Sequence, residues 1–315
     1  MNLNESIVYA GGRFCRYDEA RIGLLTHGLH YGTGCFEGLR GYWNADEREL
    51  WLLHLREHFS RLTKSARILM MEMPHNVDEL VELTVEVCAR NHFDHDVYIR
   101  PFMYKSAEEI GVRLAGVADA FAIVAIPYRA YYGAAVGLKA CVSPWRRIDD
   151  TMAPARAKVT GTYVNSALAK TEAQLGGFDE AILLSSDGHV AEGSADNIFL
   201  VRDGTLYTPD SSQNILEGVT RKSVITLAKN DFGIPVVERA IDRSELYCAD
   251  EVFVTGTAAG LMPVVSIDYR AIGDGTIGPM TRKLTSAYDS AVTGRTPKYR
   301  SWLTPTYAKR NVGVA

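Results

Sequence analysis

The chain contains 315 residues, of which 47% are hydrophobic and 23% are charged. These proportions are ordinary for a globular protein, and the length is sufficient for two domains. The formal net charge is −4 and no block of Lys or Arg occurs, which argues against a protein that binds nucleic acid or a membrane surface. We therefore expect a small metabolite as the partner.

Five cysteines are scattered along the chain without a Cys-x-x-Cys pair. This pattern argues against a disulfide framework or a zinc site and predicts reduced thiols in a cytoplasmic protein. The N-terminus lacks a basic segment followed by an apolar run, and no stretch reaches the ~18 apolar residues of a membrane span. The sequence thus predicts a protein that is neither secreted nor inserted in a membrane.

The first part of the chain alternates between strand and helix patterns and is predicted to form a small α/β domain over residues 1–126. Residues 6–14 predict a hairpin around a Gly-Gly pair. The other elements expected here are helices at 54–67 and 76–90 and strands at 94–104 and 118–126. Residues 127–135 contain Pro, Gly and three tyrosines, and we interpret them as an interdomain connection.

A glycine-rich stretch at residues 28–43 interrupts this alternation. Four of its residues would share one face of a strand by the two-residue period, namely Phe36, Gly38, Arg40 and Tyr42. That face mixes aromatic, cationic and empty positions, which favours a pocket wall over a core. An edge strand with a bulge at its glycines is the alternative.

The second part, residues 136–315, is predicted to be the larger domain. The elements expected are strands at 137–145, 179–185, 197–202 and 251–255, and helices at 163–175, from about 218 to about 230, and after Pro279. Beyond Leu303 no periodicity is visible. Both parts together predict a mixed α/β (α+β) protein of two domains.

One stretch of the second part, Thr151–Tyr163, carries the lysine on which the functional interpretation depends. Lys158 lies among small residues, which would let a cofactor approach the backbone. An activated lysine amine condenses with an aldehyde to form a Schiff base. We interpret Lys158 as the Schiff-base anchor of pyridoxal phosphate, with an exposed loop lysine as the alternative.

Two glycine turns have features of a phosphate site. Gly218-Val219-Thr220 opens a predicted helix, where unsatisfied N–H groups and the helix dipole favour an anion, and Gly256-Thr257-Ala258 follows a predicted buried strand. The pyridine nitrogen of such a cofactor needs a carboxylate partner, and Glu192 is the candidate. Alternatively, Thr220 is only a helix cap and Glu192 a solvated loop acid.

The motifs that carry a family resemblance stand in order from about residue 7 to about residue 300. They are His30-Tyr-Gly-Thr, Phe36-Glu-Gly-Leu-Arg40, Tyr98-Ile-Arg-Pro101, Ala157-Lys158, Glu192-Gly, Asn197-Ile-Phe, Gly218-Val-Thr-Arg221 and Gly256-Thr-Ala-Ala259. Their order and spacing resemble those of the class IV pyridoxal-phosphate aminotransferases. The chain looks most like the branched-chain amino acid aminotransferases of that class.

The resemblance implies a fold type IV structure of two domains, a homodimer or higher homo-oligomer, and pyridoxal 5′-phosphate as cofactor. It implies that Lys158 is both the Schiff-base lysine and the proton shuttle. Glu192 would hold the pyridinium and Tyr163 would contact the ring oxygen of the cofactor. The implied phosphate ligands are Arg61, Val219, Thr220 and Thr257.

The resemblance also implies a substrate site. The α-carboxylate would be bound by Tyr98, oriented by Arg40, and by the amides of Thr257 and Ala258. Arg100 and Tyr31 would meet the second carboxylate of glutamate. The apolar side-chain pocket would be formed by Phe36, Tyr128, Tyr131 and Tyr163.

The implied reaction moves the α-amino group of leucine, isoleucine or valine to 2-oxoglutarate. One pocket must then accept an aliphatic side chain and a carboxylate in alternate half-reactions, which aromatic walls and Arg100 would allow. A relative that acts on D-amino acids or (R)-amines is the alternative of the same fold. Gly260 leaves that alternative open, and the residues that argue against it are Tyr31, Phe36, Gly38, Arg40 and Arg100.

Some positions depart from the family pattern. Gly260 stands where glutamate is common, Glu217 where proline is common, and Tyr128 where tryptophan is common. The loop at residues 106–116, which would cap the pocket of the partner chain, carries the charged residues Glu108, Glu109 and Arg113 in place of an apolar, Pro-containing sequence. These changes concern the substrate range.

Two short patterns suggest other functions. His54-Leu-Arg-Glu-His58 matches a zinc peptidase pattern and would make the protein a metal-dependent hydrolase, but no third ligand is apparent, so we expect no metal. Residues 273–278 match G-x-G-x-x-G, yet no βαβ unit follows them. We interpret them as a glycine turn.

Overall fold

The structure is a computed structural model, and it describes residues 3–128 and 137–308. It divides into two units. The first unit comprises Met1–Arg129, Ala157–Gly161 and Ser290–Ala315, and the second comprises Ala130–Arg156 and Thr162–Asp289. Lys158 therefore belongs to the first unit. The domain boundaries expected from the sequence, at 126 and 136, stay a prediction, because most of the expected connection lies outside the described residues.

The elements that begin the chain are β1 (Ile7–Ala10), β2 (Arg13–Arg16), α1 (His27–Tyr31), β3 (Gly34–Phe36), β4 (Leu39–Asn44), β5 (Glu49–Leu53), α2 (Leu55–Ile68), α3 (Val77–Arg90), β6 (Val97–Lys105) and β7 (Asp119–Pro127). Those that follow are β8 (Leu138–Arg146), α4 (Tyr163–Leu175), β9 (Glu180–Leu184), β10 (Val190–Gly193), β11 (Asn197–Arg202), β12 (Thr205–Thr208), α5 (Val219–Phe232), β13 (Val236–Glu238), β14 (Glu251–Gly256), β15 (Gly260–Ile267), β16 (Arg270–Ala271), α6 (Pro279–Val292) and β17 (Leu303–Pro305). The expected mixed fold class is confirmed.

The first unit is built on an antiparallel sheet. Among the described residues this sheet has eight strands, in the order β17-β5-β4-β6-β7-β1-β2, with β3 paired to β6. The predicted hairpin is present, because Ala10 pairs with Arg13 and the two intervening glycines, Gly11 and Gly12, have φ values of 59° and 78°. Such positive values suit the tight two-residue turn of a hairpin.

A break between β3 and β4 shapes the centre of this sheet. Both strands pair with β6, but between them the N–H of Glu37 donates to the carbonyl of Pro101 at 2.9 Å. Pro101 has no N–H to return a second bond, so the ladder is interrupted at Glu37 and Gly38. The single strand expected over this stretch is thus two short strands.

Helix α2 contributes its apolar face to the core of the first unit. Its buried residues recur at three- and four-residue steps and are Leu55, His58, Phe59, Leu62, Ser65 and Ala66. This spacing is that of an amphipathic helix. Helix α3 begins at a capping box formed by Asn76 and Glu79, in which each residue's side chain binds the backbone N–H of the other.

The second unit is built on a mixed sheet. Its nine described strands run in the order β10-β9-β8-β15-β14-β11-β12-β13, with β16 paired to β15. The pairs β8–β9, β8–β15 and β12–β13 are parallel and the others are antiparallel. Residues 273–278 form a turn, in which Gly273 and Gly275 have positive φ, and α6 begins at Pro279.

Candidate active site

The backbone of Lys158 is held by two elements of the first unit. Its carbonyl accepts a hydrogen bond from the N–H of Phe36 at 3.0 Å, and its own N–H donates to Oγ of Ser65 in α2 at 3.3 Å. Small residues near Lys158 also allow two backbone segments, at Gly32 and at Gly161, to approach each other closely. A Cβ built on Gly32 would lie 2.6 Å from Cα of Gly161, so only glycine fits there.

The side chain of Lys158 lies beside an aromatic ring, and an arginine lies beside the same ring. Nζ of Lys158 is 5.2 Å from the ring centroid of Phe36, and Cζ of Arg100 is 4.3 Å from the same centroid. Nη2 of Arg100 donates to Oη of Tyr98 at 2.8 Å. The structure therefore places Lys158 and Arg100 beside the ring of Phe36, and Arg100 in turn contacts Tyr98.

Arg40 and Tyr98 are direct partners across β4 and β6. The guanidinium of Arg40 contacts Oδ2 of Asp96 at 3.1 Å and lies 3.6 Å from the ring centroid of Tyr128. The hydroxyl of Tyr98 instead receives its hydrogen bond from Arg100. A Cβ on Gly38 would lie 2.4 Å from that hydroxyl, so the glycine makes room for Tyr98. The orienting role of Arg40 stays a prediction.

Tyr31 ends helix α1 and contacts the loop at residues 106–116. Its hydroxyl accepts a hydrogen bond from the N–H of Gly111 at 3.0 Å. The loop is also tied to the start of α1, where the N–H of His27 donates to the carbonyl of Ala107 at 2.9 Å. Tyr131, which the resemblance assigns to the apolar pocket, lies outside the described residues.

Arg61 lies in α2 and is bound by a buried carboxylate. Its Nε and Nη2 donate to the two oxygens of Glu37 at 2.6 and 2.8 Å, and Nδ1 of His58 donates to Oε2 of Glu37 at 2.7 Å. Burial would raise the pKa of the Glu37 carboxyl, but Arg61 and His58 outweigh it and lower the pKa to about 2. Burial in turn lowers the pKa of His58, and the guanidinium of Arg61 lies against the Glu37 carboxylate as its permanent positive charge.

Glu192 lies in β10 of the second unit and is buried. Its Oε1 is 2.8 Å from Nε of Arg147, and its Oε2 accepts hydrogen bonds from Nδ2 of Asn197 and from the N–H of Leu216, each at 3.0 Å. The bulge that β10 makes in its pairing with β9 falls between Val190 and Glu192. The solvated loop acid is therefore excluded as an interpretation of Glu192.

The first of the two glycine turns begins helix α5. Gly218 is the N-cap of α5 and makes no side-chain cap, while Val219 and Thr220 are buried. A Cβ on Gly218 would lie 2.0 Å from Oδ1 of Asn197. Because Asn197 also donates to Glu192, one amide side chain connects the expected phosphate turn to the expected ring partner.

The second glycine turn joins β14 to β15. A Cβ on Gly256 would lie 2.1 Å from Oδ1 of Asp196, so a larger residue here would displace the Asp196 carboxylate. Thr257 and Ala258 are half-buried in the turn, and Tyr163 is half-buried in the first turn of α4.

Each of the two units carries residues of the kinds that pyridoxal phosphate requires. Such a cofactor requires an amine, a carboxylate for its ring nitrogen, and hydrogen-bond donors for its phosphate. The first unit offers Lys158 and the guanidinium of Arg61. The second unit carries the fixed carboxylate of Glu192. It also carries the first backbone amides of α5, which receive no side-chain cap because the N-cap residue is Gly218.

The two histidines of the zinc peptidase pattern have other partners. Nδ1 of His58 donates to Glu37, and the ring of His54 lies 4.9 Å from that of Trp302. Among the described residues no group of three or more His, Cys, Asp or Glu is placed to hold a metal ion.

Three residues with contacts to the predicted site were given no role from the sequence, namely Glu37, Arg147 and Asn197. His58 was considered only as a metal ligand. Glu37 and Asn197 lie inside the resemblance motifs, and an acid flanked by Phe36 and Gly38 was a usable signal. Arg147 had none, because its partner Glu192 lies on another strand.

Comparison with known proteins gives one consistent result. The family model described as amino-transferase class IV matches residues 34–267. A probable branched-chain-amino-acid aminotransferase of Aquifex aeolicus is 49% identical over 298 residues, which is 95% of this chain and 96% of the relative.

Two solved structures show the same similarity. The branched-chain aminotransferase of Thermoproteus uzoniensis, solved with norvaline, has a TM-score of 0.92 and 43% identity, and the match covers 96% of this chain and 99% of that one. The branched-chain amino acid aminotransferase of Thermobaculum terrenum, solved in its PLP-bound holo-form, has a TM-score of 0.92 and 37% identity, and the match covers 97% of this chain and 99% of that one.

Proposed function

Because this chain belongs to the class IV aminotransferases, we propose that it transfers the α-amino group of leucine, isoleucine or valine to 2-oxoglutarate. The products are the branched 2-oxo acids and L-glutamate. The cofactor is pyridoxal 5′-phosphate, which when bound carries the amino group and draws electrons from the α carbon of the substrate.

The observation that carries this proposal is the ring of Phe36 with its two cationic neighbours. A substrate whose α carbon reacts near Nζ of Lys158 would meet an apolar ring next, and the guanidinium of Arg100 beside that ring. An aliphatic side chain is stabilised by the ring, and a carboxylate by the guanidinium. This arrangement fits a protein that binds leucine and glutamate in turn.

We assign roles to the residues of the first unit as follows. Lys158 binds the aldehyde carbon of the cofactor and moves the proton at the α carbon of the substrate. Arg61 binds the phosphate and Tyr98 the α-carboxylate. Arg100, with Tyr31, binds the distal carboxylate of glutamate. Phe36, Tyr128 and Tyr131 contact the aliphatic side chain, and Arg40 supports Tyr98 and Tyr128.

The residues of the second unit hold the cofactor in the same proposal. Glu192 keeps a proton on the ring nitrogen, and its bonds to Arg147 and Asn197 fix its direction. Val219, Thr220 and Thr257 donate hydrogen bonds to the phosphate. Thr257 and Ala258 also offer amides to the substrate α-carboxylate. Tyr163 contacts the ring oxygen of the cofactor and the substrate side chain.

We further propose that the chain forms a homodimer or higher homo-oligomer. Leu24 is 85% exposed and Val112 is 79% exposed, and their segments are joined by the hydrogen bond from His27 to Ala107. Exposed large apolar side chains on two connected segments are typical of a surface that another chain covers. Sedimentation should show at least a dimer, which Val112→Asp weakens, and a monomeric parent protein would contradict this proposal.

The cellular location is proposed from the cysteines. All five lie within the described residues and none forms a disulfide, which supports a reducing, cytoplasmic environment. Within the described chain, none of the helices has the length and apolar content needed to cross a membrane.

The substrate proposal is tested with the purified protein, 2-oxoglutarate and a panel of amino donors. We expect the highest specificity constants with L-leucine, L-isoleucine and L-valine. The panel also contains D-amino acids and (R)-amines, because the departure at Gly260 from the family pattern concerns that choice. Higher specificity constants with either of those donors would contradict the proposal.

A further inference from the structure

One face of helix α2 carries three polar residues that bind either Glu37 or the backbone of Lys158. His58, Arg61 and Ser65 follow each other at three- and four-residue steps and lie on the buried side of the helix. His58 and Arg61 bind Glu37, whereas Ser65 accepts the N–H of Lys158. Helix α2 therefore carries the cation assigned to the phosphate and also contacts the backbone of the anchor lysine.

We infer that Glu37 is a positioning residue, which with His58 sets the direction of the Arg61 guanidinium toward the phosphate of the cofactor. This inference rests on the proposed function, since it takes Arg61 as a phosphate ligand. Glu37 itself touches neither cofactor nor substrate in this account and acts through Arg61.

The geometry of the pair supports a directing role. Two parallel hydrogen bonds, from Nε and from Nη2 of Arg61, reach the two oxygens of one carboxylate. Such a two-bond contact fixes the plane of the guanidinium as well as its position. The direction of the Nη1 edge is then determined by the place of Glu37.

The carboxylate is itself held in place from several sides. Its residue is fully buried, its N–H donates to the carbonyl of Pro101, and His58 donates to the oxygen that Nη2 of Arg61 also contacts. The interruption of the sheet at Pro101 is what places an acid in the interior here. A carboxylate fixed this way is a rigid support for a cation.

A purely stabilising role accounts for these residues less well. A buried ion pair is often no more stabilising than packed apolar residues of the same size. The side chain of Arg61 remains 14% exposed while its partner is fully buried, so the pair presents a cation at the edge of the core. That is the arrangement expected of an anion-binding group with a buried support.

The test compares the affinities of the cofactor-free full chain for pyridoxal 5′-phosphate and for pyridoxal, which lacks the phosphate. In the parent protein the ratio of the two affinities reports the phosphate contacts. Glu37→Gln keeps the shape but removes the charge that holds Arg61. We expect it to weaken pyridoxal 5′-phosphate binding about 10-fold or more while pyridoxal binding changes less than about twofold.

A second variant and a double variant keep the test decisive. Glu37→Asp keeps the negative charge that balances Arg61 in the core but has a shorter side chain. It should also lower the ratio of the affinity for pyridoxal 5′-phosphate to that for pyridoxal. Arg61→Ala should lower the ratio by at least as much, and adding Glu37→Gln to it should lower it no further, because the two residues act as one unit.

Glu180→Gln is the matched control. Glu180 is also a fully buried carboxylate, paired with Lys170 at 2.5 Å in the second unit, and its loss should lower the melting temperature without changing the ratio. A change in the ratio with Glu180→Gln, or an unchanged ratio with both Glu37 variants, would overturn the inference. If Arg61→Ala leaves the ratio unchanged, the phosphate role proposed for Arg61 fails as well, which separates the two failures.

Discussion

The carboxylate of Glu192 forms an ion pair with Arg147 at 2.8 Å, and the residue is buried in the second unit. The remaining oxygen is bonded to Asn197 and to the N–H of Leu216. These donors fix the carboxylate in one direction. A carboxylate fixed in this way stabilises a positive charge on a bound ring without having to change its own orientation during the reaction.

Glu192→Gln should therefore slow the amino-acid half-reaction by roughly 10²-fold or more, because a neutral amide cannot hold the proton on the ring nitrogen by an ion pair. The single-turnover absorbance change with leucine measures this rate. Glu245→Gln is the control, since Glu245 also binds arginines of the second unit but has no role in the proposal. An unchanged rate with Glu192→Gln would place the ring partner elsewhere.

Gly218→Ala should weaken cofactor binding by about 10-fold or more, since its methyl group would overlap Oδ1 of Asn197 and displace the start of α5. Titration of the cofactor-free protein with pyridoxal 5′-phosphate measures the dissociation constant. Gly176→Ala is a suitable control because its Cβ would meet ordinary contacts of 3.4 Å or more. Equal affinities in both variants would mean that the turn does not bind the phosphate.

Arg100→Ala should damage the glutamate half-reaction far more than the leucine half-reaction. The specificity constant for 2-oxoglutarate should fall on the order of 10²-fold, because a charge-assisted pair is lost. Leucine should lose less than about 10-fold, which is the scale of one hydrogen bond to Tyr98. Arg113→Ala is the control and should leave the ratio of the two constants unchanged. Equal losses with Arg100→Ala would assign Arg100 to the α-carboxylate, which both substrates share.

The contribution of Glu37 to the stability of the protein should be lost at acid pH. The folded-state pKa of about 2 lies below the ordinary value of 4.5, so the stabilisation is present above about pH 4.5 and is lost as the pH falls toward 2. Glu37→Gln should be less stable than the parent at pH 7, and this gap should narrow by up to about 3 kcal/mol between pH 5 and pH 2. Denaturant unfolding across this range measures the gap, and a gap independent of pH would contradict the assignment.

Much of the fold could be predicted because its periodic elements are long. Helix α4 was expected at residues 163–175, and the structure has it at Tyr163–Leu175. Strand β17 was missed, since Leu303–Pro305 is too short to show a period and its partner is β5, about 250 residues earlier in the chain. The short helix α1 was missed for the same reason of length.

Candidate site residues could be selected from the sequence where their chemistry is local. Lys158 and the turn at Gly218 are recognisable from their immediate neighbours and from the family motifs. The supports of the site are not local, because Glu37 and Arg61 lie 24 residues apart and Arg147 and Glu192 lie on different elements. A sequence pattern can mark an unusual residue such as Glu37, but it does not show which distant residue that side chain contacts; only the three-dimensional structure does.

Lys158 is the residue that we expect to bind the cofactor covalently. The purified protein should be yellow, and reduction with borohydride should fix the cofactor on one lysine, which peptide mass spectrometry identifies. We predict the pyridoxyl group on Lys158, and no turnover with Lys158→Ala, while Lys64→Ala on the exposed side of α2 remains active. A pyridoxyl group on any other lysine would contradict the account.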